Sequence, residues 1–231
     1  MKNLVVLTGA GMSADSGLST FRDSGGLWEG FNIEEVATVD GWRRDPEKVL
    51  DFYNKRRSQS ATAEPNEGHR AIADLENFFD VHVITQNVDD LHERAGSSNV
   101  LHLHGMLNEA RSSKDPEAVV NIGSDKIKLG DKAEDGSQLR PNVVWFGEAV
   151  PNIEPASVIV SGADILVVVG TSLVVYPAAG LIDFAGDDIP KFIVDPTRPD
   201  LMHMGGWKHI AKTAAEGVPE LKHYLIEHYT E

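Results

Sequence analysis

Hydrophobic residues in this chain fall into short continuous runs that are separated by longer amphipathic stretches. Helical spacing of the apolar positions predicts helices over 33–57, 66–79 and 219–228. Runs of strand length that are dominated by apolar residues lie at 4–7, 81–84, 165–169 and 191–194. The run at 165–169 is aliphatic throughout, which is typical of a buried parallel strand. Strands that alternate with helices predict an α/β fold with a doubly wound parallel sheet.

The first predicted strand continues into a glycine turn. Gly9, Gly11 and Ala14 form a Gly-x-Gly-x-x-Ala pattern ahead of a stretch that is predicted to be helical. There, glycines allow the backbone to approach a pyrophosphate, and the helix N-terminus stabilises its charge. The pattern is equally compatible with a strand–turn–helix motif that binds nothing. No acidic residue closes a second strand about 20 residues on, and no Gly-Lys-Ser/Thr follows, so dehydrogenase and P-loop motifs are absent.

Two further predicted strands end in polar residues, at 86–89 and at 170–172. Because the carboxyl ends of parallel strands meet at one edge of the sheet, we expect a nucleotide site there. The residues alone do not define a reaction. His102 and His104 alternate at period two in a strand predicted over 100–105, which would place both rings on one side. Either histidine could serve in acid–base chemistry or be a structural residue.

The composition excludes several classes of protein. The 231 residues carry a formal net charge of −15, which argues against nucleic acid as a partner. The chain has no cysteine, so disulfides, thiolate zinc sites and a cysteine nucleophile are ruled out. No apolar run has membrane-spanning length and the first residues lack a signal-peptide pattern, so we expect a cytoplasmic protein without a membrane partner.

Several segments together resemble motifs of the sirtuin family, the NAD-dependent protein-lysine deacylases, and in particular its bacterial desuccinylating branch. Residues 9–22 resemble the opening motif of the family, and residues 85–96 resemble its nicotinamide-site motif. Leu103-His104-Gly105 is similar to the motif that carries the catalytic base. Residues 140–148 and 170–178 resemble the peptide-binding segment and the second NAD-binding segment. The resemblance spans nearly the whole chain and implies a Rossmann-like NAD-binding domain.

The resemblance also implies a reaction and a set of roles. An acyl-lysine would react with NAD, and nicotinamide and O-acyl-ADP-ribose would be released. His104 would act as general base, while Asn87 and Asp89 would act at the nicotinamide side. The implied cofactor contacts are Gly9, Ala10, Gly11, Ala14, Thr20, Phe21, Arg22, Trp28, Gln86, Asn87, Asp89, Gly170, Thr171, Ser172, Asp195 and Ala214. The implied substrate contacts are Ala37, Tyr53, Arg56, Val144, Phe146, Gly147, Glu148 and Val174.

Acyl selectivity can be argued from two residues of the helix predicted after residue 45. Tyr53 and Arg56 stand at i, i+3 and therefore share one helix face. A phenol and a guanidinium fork suit a carboxylate at the end of an acyl chain. The spacing is similar to that of the desuccinylating sirtuins, and Ala37 matches a small residue that widens their acyl pocket. The alternative is a helix whose arginines face solvent.

The chain departs from the family pattern at two places. Sirtuins usually carry a four-cysteine zinc module between the His-Gly and Arg-Pro motifs. The corresponding positions here are Ser112, Asp115, Lys132 and Asp135, so we expect no zinc. In addition, Ile193 stands where many family members have an asparagine that contacts the adenosine ribose. Asp195 is the expected substitute on the adenosine side, and Ala214 or Ala215 is the expected neighbour of the adenine.

The predicted domain organisation places a small module within the NAD-binding domain. The NAD-binding domain is expected to comprise residues 1–30, 67–105 and 140–231, and the inserted module residues 31–66 and 106–139. Three alternative functions remain open: a protein ADP-ribosyltransferase on the same scaffold, a metal-dependent hydrolase that uses His102 and His104, and a non-catalytic nucleotide sensor. The sequence leaves target proteins and oligomeric state undetermined.

Overall fold

The computed structural model describes residues 1–19, 27–28, 31–199 and 206–230, with the backbone alone at 27–28. The strands in these ranges are β1 (Asn3–Thr8), β2 (Leu27–Trp28), β3 (Phe31–Asn32), β4 (Asp80–Thr85), β5 (Val100–His102), β6 (Gly105–Ser112), β7 (Val119–Asn121), β8 (Leu139–Val143), β9 (Ile165–Val169), β10 (Lys191–Val194) and β11 (Trp207–Ile210). The α-helices are α1 (Ile33–Val36), α2 (Val39–Arg44), α3 (Pro46–Thr62), α4 (Glu67–Leu75), α5 (Leu91–Ala95), α6 (Ile153–Ser161) and α7 (Ala214–Tyr229). Short 3₁₀ helices span Ala10–Met12, Ala14–Ser16 and Ala178–Phe184.

A six-stranded sheet with the order β11-β10-β9-β1-β4-β5 forms the centre of the larger part of the molecule. All of its pairings are parallel. In the register of β1, Thr8 lies opposite Thr85 of β4 and Val169 of β9. These three strands therefore end side by side, and the segments that follow them meet at one edge of the sheet.

Both faces of this sheet are covered by helices, which confirms the doubly wound α/β fold. Leu4 and Val6 belong to a core cluster that includes residues of α4 and α7. Val5 and Leu7 point to the opposite face, in a cluster with residues of α6 and of the 178–184 helix. The continuous apolar run of β1 is thus explained, because alternate side chains of a strand enter different layers of the core.

Two local predictions are wrong. The stretch after the glycine turn forms two 3₁₀ turns instead of a longer helix, and Gly17 ends it at φ +85°. Strand β5 ends at His102, and Gly105 with φ +77° starts the next strand in a different sheet. Period-two alternation therefore does not extend from His102 to His104, because the chain changes sheets between them.

A smaller antiparallel sheet, β7-β6-β8, lies beside the first three helices. Its core includes Phe52 and Tyr53 of α3, Leu107 of β6 and Trp145 just after β8. The predicted boundary between residues 139 and 140 falls within β8, which pairs with β6 along this sheet. The domain limits stay a prediction. None of the helices in the described part of the chain is long and apolar enough to cross a membrane.

Ser112, at the end of β6, occupies one of the positions where the family resemblance would place a zinc ligand. Its hydroxyl donates to Asp135 Oδ2 at 2.6 Å and lies 2.7 Å from Ser137 Oγ. The same oxygen accepts the backbone N–H groups of Lys114 and Asp115, both at 3.0 Å. These residues do not fit a structural zinc site, which is built from thiolates and imidazoles. The hydrogen bonds of Ser112 instead connect the end of β6 to the segment that carries Asp135 and Ser137.

Candidate active site

A cavity of about 530 Å³ lies where β1, β4 and β9 end and borders the small sheet. It brings together most of the residues that the sequence proposed for the site. Those lining it are Gly9, Ala10, Gly11, Ala14, Ala37, Tyr53, Arg56, Gln86, Asn87, Asp89, His104, Val144, Phe146, Gly147, Glu148, Gly170, Thr171, Ser172 and Asp195. One cavity therefore contacts both the nucleotide-type turns and the predicted acyl-binding residues.

A few predicted contacts do not reach this wall. Val174 is 70% exposed, and its neighbour Val175 lines the cavity in its place. Ala214 is buried in the core at the start of α7, while Thr213 lines the cavity. Thr20, Phe21 and Arg22 and the side chain of Trp28 lie outside the described residues.

The two glycine turns pack directly against each other. The N–H of Gly11 donates to the carbonyl of Gly170 at 2.8 Å. A Cβ atom on Gly11 would lie 2.7 Å from the Cα of Gly170, and Gly170 itself has φ +62°. Side chains at either position would separate the turns, so only glycine forms this close backbone floor. Within the described residues, two 3₁₀ turns and no α-helix follow the glycine turn, so a helix dipole would contribute little to binding an anion here.

Asn87 and Asp89 are held together by a residue that sequence reasoning missed. Ser13 Oγ donates to Asp89 Oδ2 at 3.0 Å and accepts from Asn87 Nδ2 at 3.1 Å. The N–H of Leu91 donates to the other oxygen of Asp89 at 3.2 Å. Burial raises the pKa of Asp89, and the hydrogen bonds from Leu91 and Ser13 oppose that shift. The one sequence signal that could have identified Ser13 is its position inside the glycine motif.

His104 is fixed in one tautomer. Its Nδ1 lies 3.0 Å from the carbonyl oxygen of Gln86, which can only accept, so Nδ1 carries the proton. Burial lowers the pKa of His104, against the opposing effect of the Gln86 bond. The ring is therefore neutral at pH 7 and Nε2 has a free lone pair. The His104 carbonyl accepts the N–H of Val144 at 2.9 Å, which ties it to the predicted peptide-binding segment.

Tyr53 and Arg56 form part of the cavity wall contributed by α3. The Tyr53 hydroxyl accepts a hydrogen bond from Trp145 Nε1 at 3.1 Å. Burial raises the pKa of Tyr53 to about 12, so the phenol stays neutral and can still donate its proton. Arg56 lines the same cavity, and its charge acts against the pKa shift of Tyr53.

Glu148 holds the segment after β8 in shape. Arg140 donates to its two oxygens at 2.7 and 3.0 Å, and the N–H of Trp145 donates at 2.8 Å. Arg111 Nη2 lies 3.3 Å from Glu148 Oε1. Burial alone would raise the pKa of Glu148, but the hydrogen bonds from Arg140 and Trp145 and the charges of Arg140 and Arg111 together outweigh it, and the pKa is lowered. This predicted substrate contact therefore also organises the backbone beside the cavity.

Comparison with known proteins establishes the family of this chain. The sequence profile of the Sir2 family matches residues 9–177. An NAD-dependent protein deacylase of Bacteroides thetaiotaomicron is 54% identical over 98% of this chain and 99% of its own length. A protein of the same name from Helicobacter pylori is 52% identical over 98% of this chain and 99% of its own length. The chain belongs to the Sir2 family.

A solved structure also resembles this sirtuin closely. It is described as a Sir2 homolog–NAD complex, is 40% identical, and superposes with a TM-score of 0.88 over 98% of this chain and 90% of that one. The Rossmann-like architecture predicted from the sequence is thus confirmed. The neighbour contains NAD, and in this sirtuin the glycine floor and the cavity are compatible with the same group.

The geometry of this sirtuin does not support a His-x-His metal pair. His102 Nδ1 lies 3.0 Å from the carbonyl of Asn87, and its Nε2 lies 2.7 Å from Glu93 Oε1. Both nitrogens of His102 are therefore engaged, while His104 binds a different carbonyl. Across the described ranges, no group of three or more His, Asp or Glu side chains is arranged to hold a metal ion.

Proposed function

We propose that this sirtuin removes acetyl and succinyl-type acyl groups from protein lysine, with release of nicotinamide and O-acyl-ADP-ribose. The coarser activity, NAD-dependent protein deacylation on acylated-lysine proteins, follows from membership of the Sir2 family and from the curated relatives. The observation that carries the finer proposal is a single cavity that joins the glycine floor, His104 and the Tyr53–Arg56 wall.

NAD fits the nucleotide end of this cavity. The close packing of Gly11 on Gly170 leaves backbone rather than side chains at the floor, which suits a diphosphate. Thr171 and Asp195 line the same end, and Asp195 Oδ1 is held by the N–H of Thr197 at 2.8 Å. When bound, NAD supplies an electrophilic ribose carbon. Roles for Thr20, Phe21, Arg22 and Trp28 in its binding stay predictions.

His104 is suited to be the general base. Its Nδ1–H is committed to the Gln86 carbonyl, so Nε2 is the atom that takes a proton from a ribose hydroxyl. The lowered pKa keeps the ring neutral at pH 7, so that Nε2 is available to accept a proton. Asn87 and Asp89, both fixed through Ser13, would orient the nicotinamide amide and water. This pre-organisation reduces the motion that is needed during the reaction.

The acylated peptide would add as a strand beside the segment after β8. The N–H of Phe146 donates to the Ala37 carbonyl at 2.9 Å, which orders this segment. Phe146 is 47% exposed and Val174 is 70% exposed, so both offer apolar surface that a peptide would cover.

Charge at the inner wall favours an acyl group that ends in a carboxylate. Arg56 lines the cavity, and the charge of Glu148, which lines it too, is compensated by ion pairs with Arg111 and Arg140. The neutral Tyr53 hydroxyl adds a donor, since it accepts from Trp145 and keeps its own proton. A succinyl carboxylate would thus meet both a donor and a guanidinium fork. The alternative in which Arg56 only faces solvent is disfavoured by its place on the cavity wall.

The test uses matched acetyl-lysine and succinyl-lysine peptides, with and without NAD, analysed by mass spectrometry. Arg56→Met should lower kcat/KM for the succinyl peptide roughly 100-fold, because one partner of a charge-assisted pair is lost. The acetyl peptide should change by less than about threefold. Lys55→Met is the matched control, since Lys55 is exposed on the same helix and pairs with Asp51 at 2.8 Å.

Equal losses for the two peptides would contradict the acyl selectivity but leave the deacylase in place. Transfer of ADP-ribose onto protein, without loss of either acyl group, would favour the ADP-ribosyltransferase alternative. NAD binding without any turnover would favour the sensor.

A further inference from the structure

We propose that His102 is an imidazolium at neutral pH and acts, together with Glu93, as the positioning residue for the 86–89 loop of the active site. The role of this loop rests on the proposed function, whereas the charge of His102 is argued from its contacts and is independent of any activity. His102 does not touch the cavity, so it would act through Asn87 and not on the substrate.

The two partners of His102 fix its protonation. Nδ1 lies 3.0 Å from the Asn87 carbonyl and Nε2 lies 2.7 Å from a Glu93 carboxyl oxygen. A carbonyl and a carboxylate can only accept hydrogen bonds, and a neutral imidazole has one N–H to donate. With Glu93 ionised, both contacts are satisfied at once only when both ring nitrogens carry protons.

The competing arrangement, in which a protonated Glu93 donates to a neutral ring, is disfavoured. Burial alone would lower the pKa of His102, but the hydrogen bond and charge of Glu93, with smaller contributions from Asn87 and Asp89, together outweigh it, and the pKa is raised. Burial would likewise raise the pKa of Glu93, but the hydrogen bond and charge of His102, together with smaller contributions, outweigh it, and that pKa is lowered. Both shifts favour the ion pair.

The other charged and titratable groups around His102 are consistent with a cation. Asp89 of the 86–89 loop adds a favourable negative charge. His92, on α5, is neutral because burial holds its pKa well below the usual value, and the charge of His102 lowers it further. His69 of α4 is also neutral, with burial lowering its pKa to about 4. His102 thus carries the positive charge in this cluster of three histidines.

As a consequence, the backbone of Asn87 is held through both its N–H and its carbonyl. The N–H of Asn87 donates to Thr85 Oγ1 at 3.0 Å, and its carbonyl accepts from His102. The strand end that carries His102 is itself held, since Asn152 Nδ2 donates to the His102 carbonyl at 2.8 Å. The Asn87 and Asp89 side chains are thereby aimed at the cavity from a fixed backbone, and the nearby cation favours ionised Asp89.

The charge state can be measured without any activity assay. Nuclear magnetic resonance of protein labelled with ¹⁵N-histidine, recorded between about pH 6 and 8, distinguishes an imidazolium from a neutral ring, with His102→Gln identifying the signal. We expect His102 to stay doubly protonated at neutral pH while His104 has one protonated nitrogen, on Nδ1. In Glu93→Gln, the His102 ring should become neutral. A singly protonated His102 in the wild-type protein would overturn the proposal.

The positioning role is tested by kinetics on the full-length protein. His102→Gln should lower kcat about tenfold or more, because small displacements of reacting groups are costly, while KM for the acyl-lysine peptide changes by less than about twofold. Glu93→Asp keeps a carboxylate and should retain more activity than Glu93→Gln, which carries the test if His102→Gln does not fold. His82→Gln is the control, since His82 pairs with Asp80 at 3.4 Å on β4.

Three results would overturn the positioning role: an unchanged kcat in His102→Gln, a loss that only tracks the folded fraction, or a Glu93→Asp variant no more active than Glu93→Gln. If the wild-type protein proves inactive on acyl-lysine, the proposed function fails, whereas the imidazolium can still be confirmed or rejected by the resonance measurement.

Discussion

His102 and His104 lie two residues apart, and each donates Nδ1–H to a carbonyl of the 86–89 loop at 3.0 Å, yet their charge states differ. The two rings differ in what their second nitrogen, Nε2, contacts. For His102 that atom meets the carboxylate of Glu93, which raises the pKa, whereas burial lowers the pKa of His104. Within the described part of the chain, no carboxylate contacts His104. The comparison shows that one contact decides between a fixed cation and a base.

The strongest test of the comparison removes the base. His104→Ala should lower kcat for deacylation about 1,000-fold, because general base catalysis typically contributes 10²–10⁴-fold. His102→Gln should have a much smaller effect. Release of nicotinamide and loss of the acyl group, both followed by mass spectrometry, measure the outcome. A His104→Ala protein that is as active as His102→Gln would remove the distinction between the two residues.

A third histidine, His69, tests what burial does when it outweighs the charge of a nearby carboxylate, Glu93. Burial lowers the pKa of His69 from 6.5 to about 4, so the unfolded chain binds its proton more readily. The contribution of His69 to stability is therefore present above pH 6.5 and is lost as the pH falls toward 4, by roughly 3 kcal/mol. His102, whose pKa is raised, has the opposite sign: its contribution is present below pH 6.5 and is lost as the pH rises through the raised pKa.

His69→Gln should thus reduce the loss of unfolding free energy between pH 7.5 and 4, as measured by urea denaturation. Glutamine preserves the capping box, in which His69 Nδ1 accepts the Asn66 N–H at 3.3 Å. His223→Gln is the control on an exposed helix position. An unchanged pH dependence in His69→Gln would show that the buried ring does not limit acid stability.

The smallest expected effect is the change in the pH profile of kcat/KM caused by Glu93→Gln. The acid limb of kcat/KM should reflect protonation of His104 and fall below pH 6.5, because burial lowers the pKa of that ring. Activity is lost as the pH drops through the lowered pKa of His104, since the base is then protonated. Glu93→Gln should move the limb by less than about 0.3 pH units, because it acts on His102. A larger shift would mean that the two histidines titrate together.

Much of the fold follows from local patterns in the sequence. The α/β class was predicted from the aliphatic runs of β1 and β9 and from the amphipathic helices. The position of the cavity was predicted from the turns that follow the strands. The sequence also singled out Tyr53 and Arg56 through their helical spacing. It missed Ser13, because nothing local indicates that its hydroxyl bridges Asn87 and Asp89 across more than 70 residues of chain.

What the sequence determined by itself is the set of elements and motifs, because hydrophobic period, glycine turns and motif order depend on neighbouring residues. Only the tertiary structure decided the charges of the histidines. Period two predicted that His102 and His104 share a side, but the chain leaves one sheet for another at Gly105, and α5 brings Glu93 to only one of the two rings. Protonation depends on burial and on partners distant in sequence, so it emerges only when the chain is folded.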